Sequence, residues 1–350
     1  MDVFAAAASV SAPSHTALEA ARERQLRLTK PPYALGRLEE IANRLSAISG
    51  EVPPAIPARP ALAVFAGDHG VLASGVSPWP AEVTTQMVYN FLAGGAAVNV
   101  LARRFGIEVT VVDMGVASEL EGAPNLIDKK VAKGTMNIAT GPAMTKDQAR
   151  QALQAGFDVA NALVDAGYDI LLIGDMGIGN TTPSAALVGY FCNLEAMSVT
   201  GRGTGIDDDR HQLKAGIVAA AIERATSSGA GPIEVLAEIG GFEHGGIAGY
   251  IIGAAYRKVP VVLDGVIANS AALVAQAICP DSASYAFAGH VSREPGALGA
   301  LAKLGLQPIV DLDLALGEGT GAVLSFATIA AAAALLGEMA TFDEAGVTEK

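Results

Sequence analysis

The sequence predicts an α/β protein: a mostly parallel sheet with covering helices, joined to a small helical domain made from both ends of the chain. The sheet is indicated by short β-branched runs, ending in glycine and a polar residue, that alternate with longer Ala/Leu-rich segments of helical period. Composition supports a large core, because 51% of the 350 residues are hydrophobic.

Six short runs are the strand candidates, and glycine or an acidic residue follows each of them. They lie at 61–66, 108–112, 170–173, 261–263, 284–288 and 306–310. Parallel strands end at the same edge of a sheet, and open α/β sheets bind ligands at that edge. We therefore expect the polar residues after these runs to form the functional site.

Helical patterns occur at both ends of the chain. Segments 17–25 and 35–48 have the pattern of amphipathic helices around a Lys-Pro-Pro turn, and 322–340 has the pattern of an apolar helix. The uncharged part of the last segment is shorter than the roughly 18 apolar residues of a membrane span, so we expect a buried helix.

These helices define the expected domains. Residues 1–55 with 322–350 are predicted to form the small helical domain, and residues 56–321 the large α/β catalytic domain. A proline-rich stretch at 51–60 is the predicted linker between them.

Charge and cysteine content restrict the partners. A net charge of −13 and 5% aromatic residues argue against binding nucleic acid, since a phosphate backbone would be repelled on average. Cys192 and Cys279 are not spaced for a disulfide framework or a zinc site, which predicts a reducing compartment. The first residues lack the basic start and long apolar run of a secretory signal, so we expect a cytoplasmic protein without a membrane partner.

Two glycine-rich loops are candidates for binding a phosphorylated sugar. Residues 174–183 (GDMGIGNTTP) follow a predicted strand and open a helix, where glycine amides and the positive helix end would meet an anion. Residues 201–208 (GRGTGIDD) add amides, the Thr204 hydroxyl and acids, and Lys214 follows them. The alternatives are a tight strand-to-helix turn for the first loop and a solvated loop for the second.

Glu318 is the candidate catalytic base. Glycines and apolar residues surround it in the segment 316–321 (LGEGTG), just before an apolar helix. Partial desolvation would raise the pKa of this carboxyl towards neutrality, as a general base requires, and the glycines leave room for a substrate. The alternative is an N-cap acid that complements the helix dipole.

A third glycine-rich segment, 239–249 (IGGFEHGGIAG), allows close helix packing but gives no clear chemistry. Glu243 and His244 are adjacent, so on a helix they would diverge by about 100° and are not predicted to form a metal pair. His69 and His290 follow strand ends, and we favour structural roles for both.

In order along nearly the whole chain, these strings resemble the nicotinate-nucleotide:5,6-dimethylbenzimidazole phosphoribosyltransferases, which make the lower-ligand nucleotide of cobalamin. The matching strings are KPP at 30–32, LGRLE at 35–39, AGDHGV at 66–71, PAEVT at 80–84, MGIGNTTP at 176–183, GGF at 240–242, LDG at 263–265 and LGEG at 316–319. The resemblance implies a Rossmann-like large domain, a homodimer, no cofactor, and transfer of phosphoribose from nicotinate mononucleotide to a benzimidazole-type base.

The resemblance also implies roles for particular residues. Glu318, Asp175 and Lys214 would be catalytic, and no metal is expected. The phosphoribosyl group would contact Gly177, Gly179, Asn180, Thr181, Thr182, Gly203, Gly205 and Asp264. The acceptor base would contact Trp79, Met87, Met176 and Leu316, for which ordinary core packing is the alternative.

Several positions depart from the commoner family pattern, including Tyr33-Ala34 in place of the usual Gly-Ser near the N-terminus. Asp175 stands where glutamate is usual, Ala315 where arginine is frequent, and Trp79 where a smaller residue or tyrosine is found. The alternatives are therefore the same reaction on another benzimidazole, a purine or a phenol, and a catalytically silent nucleotide-binding protein.

Overall fold

The computed structural model describes residues 1–120, 125–203, 205–227, 229 and 231–348. Thr204, whose hydroxyl was expected in the second glycine loop, lies outside the described residues.

A parallel seven-stranded sheet forms the centre of the molecule, in the order β3-β2-β1-β4-β5-β6-β7. The strands are β1 (Pro60–Gly67), β2 (Glu108–Gly115), β3 (Leu126–Asp128), β4 (Ile170–Met176), β5 (Val261–Leu263), β6 (Ala286–His290) and β7 (Pro308–Val310). The predicted α/β class is confirmed. The prediction lacked β3, a three-residue edge strand that is too short and too exposed to show a hydrophobic pattern.

Helices cover both faces of the sheet. They are α1 (Val3–Ala7), α2 (His15–Arg27), α3 (Arg37–Ser49), α4 (Glu82–Leu92), α5 (Ala97–Phe105), α6 (Lys146–Asp165), α7 (Thr181–Cys192), α8 (Ala196–Val199), α9 (Asp208–Ser227), α10 (Pro232–Ile239), α11 (Phe242–Tyr256), α12 (Val266–Ile278), α13 (Gly296–Leu304), α14 (Thr320–Glu338) and α15 (Phe342–Ala345), with 3-10 helices at Gly70–Ser74 and Pro280–Tyr285.

Alternate side chains of β1 enter two separate cores. Ala63 and Phe65 face the core beneath α6, α7, α11 and α12, whereas Leu62 and Val64 face the core beneath α3, α5 and α14. The period of two places successive side chains on opposite faces, and both faces are covered, so the strand is a continuous apolar run.

Glycines bring α6 and α11 into close contact. A β-carbon placed on Gly156 would lie 1.7 Å from the Gly246 carbonyl oxygen, and one on Gly249 would lie 1.9 Å from the Leu153 carbonyl oxygen. Gly246 and Gly249 of segment 239–249 therefore serve helix packing.

The helices from the two ends of the chain contact one another. Helix α14 packs against α3 and α2, and Leu28 pairs with Thr341 in an isolated antiparallel bridge. Because α14 also packs on β6, the predicted boundaries of the small domain stay a prediction.

By length and composition, α14 is the one helix among the described residues that could cross a membrane. In the fold, 56% of its most apolar 18-residue stretch is buried. A core helix meets the same criterion, so this is weak support for a span.

Candidate active site

A cavity of about 510 Å³ lies at the carboxyl edge of the sheet, where loops after β4, β5, β6 and β7 meet α4 and α9. Its lining includes most of the residues predicted for the site: Trp79, Met87, Asp175, Met176, Gly177, Gly179, Asn180, Thr181, Gly203, Lys214, Leu316 and Glu318. Strand order brings these distant segments to one edge.

One wall of the cavity is the loop that leads from β4 into α7. Gly179 has φ of 90°, a conformation that favours glycine, and it lets the chain turn directly into the helix. The backbone N–H of Ile178 donates to Thr84 Oγ1 (3.1 Å), which fixes the loop against α4. The positive end of α7 therefore faces the cavity, as an anion site requires.

Lys214 of α9 lies beside this helix end. Its Nζ donates to Thr181 Oγ1 (2.8 Å) and to the Gly201 carbonyl (2.9 Å), and the residue is almost fully buried. Burial lowers the pKa of Lys214, and the nearby Glu294 carboxylate offsets part of that effect. A buried cation and a helix N-terminus thus meet at one end of the cavity.

Glu318 also lines the cavity, and its backbone has a left-handed conformation. Its φ is 63°, between Gly317 (82°) and Gly319 (100°), and such a conformation is strained for a residue with a β-carbon. A β-carbon on Gly174 of β4 would lie 2.3 Å from the Glu318 carbonyl oxygen, so only glycine fits there. This close contact with the sheet holds the strained turn in place.

The Glu318 carboxylate is buried at the cavity wall. Burial raises the pKa of Glu318, a hydrogen bond from the Val98 N–H (3.3 Å) opposes the shift, and the Asp264 charge adds to it. A carboxylate with a raised pKa that lines a cavity has the character of a general base.

Asp264 takes the capping role that was the alternative for Glu318. Its oxygens accept hydrogen bonds from the N–H groups of Gly319 (3.2 Å), Gly321 (2.7 Å) and Ala322 (3.1 Å), at the start of α14. Asp264 is fully buried and is not part of the cavity lining. Its predicted contact with a phosphoribosyl group stays a prediction, and this burial argues against it.

Asp175 is a buried acid in the lining of the cavity. Burial and the Asp264 charge raise the pKa of Asp175 to about 8, although Asn180 Nδ2 donates to its Oδ2 (2.9 Å). Asp175 is therefore protonated at neutral pH. Because Oδ2 accepts from Asn180, the carboxyl proton belongs on Oδ1.

The four residues predicted for the acceptor base line the same cavity. Met87 and Met176 are half-buried, while Trp79 and Leu316 are 50% and 56% exposed. Trp79 and Leu316 are too exposed for core packing and offer an apolar surface to a planar ring, whereas Met87 and Met176 also pack against the core beneath α14. Contact of these four residues with the acceptor base stays a prediction.

Two further predicted residues lie away from the lining. Thr182 is fully buried behind the first turn of α7, and Gly205 lies beyond the part of the second glycine loop that reaches the cavity.

Ser292 and Glu294, which the sequence prediction missed, also line the cavity, and so does His290, for which a structural role was favoured. Glu294 Oε1 accepts from the Gly203 N–H (3.0 Å) and so fixes the second glycine loop. His290 is buried with Nε2 3.6 Å from Asp264 Oδ1. Their position just after the predicted strand at 284–288 was the available signal.

Within the described ranges, no group of three His, Cys, Asp or Glu side chains could hold a metal ion.

Comparisons with known proteins show the family and the fold. A family model described as "Phosphoribosyltransferase" (DBI_PRT) matches residues 10–347. The nicotinate-nucleotide–dimethylbenzimidazole phosphoribosyltransferase of Salinispora tropica is 52% identical over 348 residues, covering 95% of this chain and 96% of the relative. The protein of that name from Chloroflexus aurantiacus is 50% identical over 334 residues, covering 95% of each chain. The crystal structure of CobT from Thermus thermophilus has a TM-score of 0.93 and 49% identity, covering 96% of this chain and 100% of that chain.

Proposed function

The chain belongs to the nicotinate-nucleotide–dimethylbenzimidazole phosphoribosyltransferase family, and we propose that it transfers phosphoribose from nicotinate mononucleotide to 5,6-dimethylbenzimidazole. The products are α-ribazole 5′-phosphate and nicotinate, which serves synthesis of the cobalamin nucleotide loop. The observation that carries the proposal is a cavity whose lining combines buried Lys214, the α7 N-terminus and Glu318.

The chemistry suits this cavity. The bond between C1′ and the pyridinium nitrogen breaks, and its electron pair neutralises that nitrogen, so the leaving group needs no acid. A ring nitrogen of the acceptor forms the new bond from the opposite face, which inverts C1′ from β to α. The acceptor ring becomes positively charged, and its remaining N–H proton passes to Glu318, a step worth about 10²–10⁴ in rate for a positioned base.

Binding would orient the two substrates. The donor phosphate would lie against Gly177–Thr181, Gly203 and Lys214, where amides, a helix end and an ammonium group converge. The acceptor ring would lie among Trp79, Met87, Met176 and Leu316. Asp175, protonated between these regions, would donate a hydrogen bond from Oδ1.

The test is product analysis with purified protein, nicotinate mononucleotide and competing acceptors. We expect α-ribazole phosphate as the main product, with an α-anomeric C1′ by NMR. Faster formation of an adenine nucleotide or a phenolic riboside would show that a purine or a phenol, and not 5,6-dimethylbenzimidazole, is the preferred acceptor. Tight donor binding without turnover would instead indicate a catalytically silent nucleotide-binding protein.

The proposed assembly is a cytoplasmic homodimer. The family resemblance supports the dimer, and the burial of α14 within the fold supports a protein outside the membrane. Light scattering of the purified chain, with fractionation of the producing cells, would test both points. A monomer, or recovery in the membrane fraction, would contradict them.

A further inference from the structure

Four buried polar side chains form a network behind the cavity. His69 follows β1, Glu243 and His244 begin α11, and Ser184 lies in the first turns of α7. Glu243 Oε1 lies 2.8 Å from both His69 Nε2 and His244 Nδ1, and His244 Nε2 lies 2.8 Å from Ser184 Oγ. The proposed reaction uses none of these groups.

The serine, histidine and glutamate are in the order of a nucleophilic triad, but they do not form one. Ser184 and His244 are fully buried, so no substrate reaches the hydroxyl. Ser184 Oγ also donates to the Asn180 carbonyl (2.9 Å), which leaves its lone pair for the contact with His244. The network therefore transmits position, not covalent chemistry.

Electrostatics make the network rigid. Burial alone would raise the pKa of Glu243, yet the two histidines hold it well below its usual range. Burial would lower the pKa of His69, yet Glu243 and Asp68 raise it, which favours the protonated imidazole next to the Glu243 carboxylate. Such a buried pair has little freedom to move, because separation leaves an uncompensated charge.

The network contacts the cavity wall at two points. Through Ser184 it reaches Asn180, whose side chain donates to Asp175 Oδ2 (2.9 Å). At the second point, a β-carbon on Gly177 would lie 2.3 Å from the Gly67 carbonyl oxygen and 3.2 Å from His69 Nε2, so the glycine loop passes close to the imidazole.

We propose that His69, Glu243, His244 and Ser184 are positioning residues that hold Gly177 and the first turn of α7 in place for the donor phosphate. The inference rests on the proposed function, because it assigns the phosphate of nicotinate mononucleotide to this wall.

The test compares Ser184→Ala with Ser325→Ala. Ser325 is a matched control: it is fully buried in α14, and its hydroxyl donates to the Ala322 carbonyl in the preceding turn. We expect Ser184→Ala to raise the Kd and KM for nicotinate mononucleotide by about three- to tenfold, as for loss of one neutral hydrogen bond. The KM for the acceptor and the Tm should match those of Ser325→Ala. Ser184→Thr, which keeps the hydroxyl, should restore donor affinity.

Equal donor affinity in Ser184→Ala and Ser325→Ala would overturn the inference, as would a parallel rise of both KM values with a lower Tm. Glu243→Gln keeps the shape but removes the charge, and should weaken the donor further. The Kd for nicotinate mononucleotide, measured by calorimetry, tests the inference even if the parent chain shows no turnover. Absence of turnover would overturn only the proposed reaction.

Discussion

The Val98 N–H donates a hydrogen bond to the Glu318 carboxylate across 3.3 Å, although 220 positions separate the two residues in the chain. Val98 lies in the first turn of α5, where free amides stabilise a negative charge. Burial acts in the opposite direction and dominates, so the pKa of Glu318 remains raised. The helix end thus orients the carboxylate while burial keeps it basic.

Glu318→Gln is expected to lower turnover by about 10²–10⁴-fold, because the amide accepts no proton from the acceptor ring. Folding and donor binding should persist, since the shape is unchanged. Steady-state kinetics and donor calorimetry measure this, with exposed Glu51→Gln as control. Near-parental turnover would remove Glu318 from the mechanism.

The pH dependence of turnover should also report the ionisation of Glu318. Glu318 acts only when ionised, so the rate should fall as the pH drops through its pKa. Because burial raises that pKa, the rate should begin to fall at a pH above the usual carboxyl range. A limb at an ordinary glutamate pKa would show that another group controls the rate.

Asp175→Asn is expected to flatten the fall of stability with rising pH. The pKa of Asp175 is about 8 in the folded protein, against 3.8 ordinarily, so between these values the folded state holds a proton that the unfolded state lacks. Stability in that window falls by up to about 1.4 kcal/mol per pH unit. Asparagine cannot ionise, so the Tm of the variant should decline less with rising pH than the Tm of the parent protein. Parallel Tm curves for the variant and the parent across this range would show that folding does not raise the pKa of Asp175.

Lys214→Met is expected to raise the KM for nicotinate mononucleotide by about 10–100-fold, the loss of a charge-assisted hydrogen bond. The acceptor KM should change little, because Lys214 lies at the end of the cavity formed by α7. The control is Lys303→Met at an exposed lysine. An unchanged donor KM would place the phosphate elsewhere.

Gly174→Ala is expected to destabilise the fold by about 1–3 kcal/mol and to reduce turnover, because the new methyl group would displace the Glu318 backbone. Gly216→Ala is the matched control, since its β-carbon would meet no atom within 4 Å, and in the helix α9 it should stabilise by about 0.5–1 kcal/mol. Urea denaturation and turnover measure both. A Gly174→Ala protein with parental turnover would show that the contact between β4 and Glu318 is not needed.

Local patterns were sufficient for much of the fold. The runs at 61–66 and 170–173 lie within β1 and β4 because a strand buried on both faces is apolar throughout. The glycines around Glu318 predicted an unusual turn, and the structure has three successive left-handed residues there. These features depend on the conformational preferences of neighbouring residues, which the sequence records directly.

Other features required the tertiary structure. The sequence could not distinguish Glu318 from a helix cap, and only the structure shows Asp264 capping α14. Likewise, Glu243 and His244 diverge along their helix, yet His69 and Ser184 from other segments complete a network around them.

The sequence by itself indicated six of the seven strands, the glycine loops and Glu318 as a candidate base, because periodicity and backbone freedom are local. The tertiary structure decided which carboxylate caps, which carries a proton and which faces the cavity. Those properties depend on burial and on charges from segments that only the strand order brings together, and no local pattern encodes them.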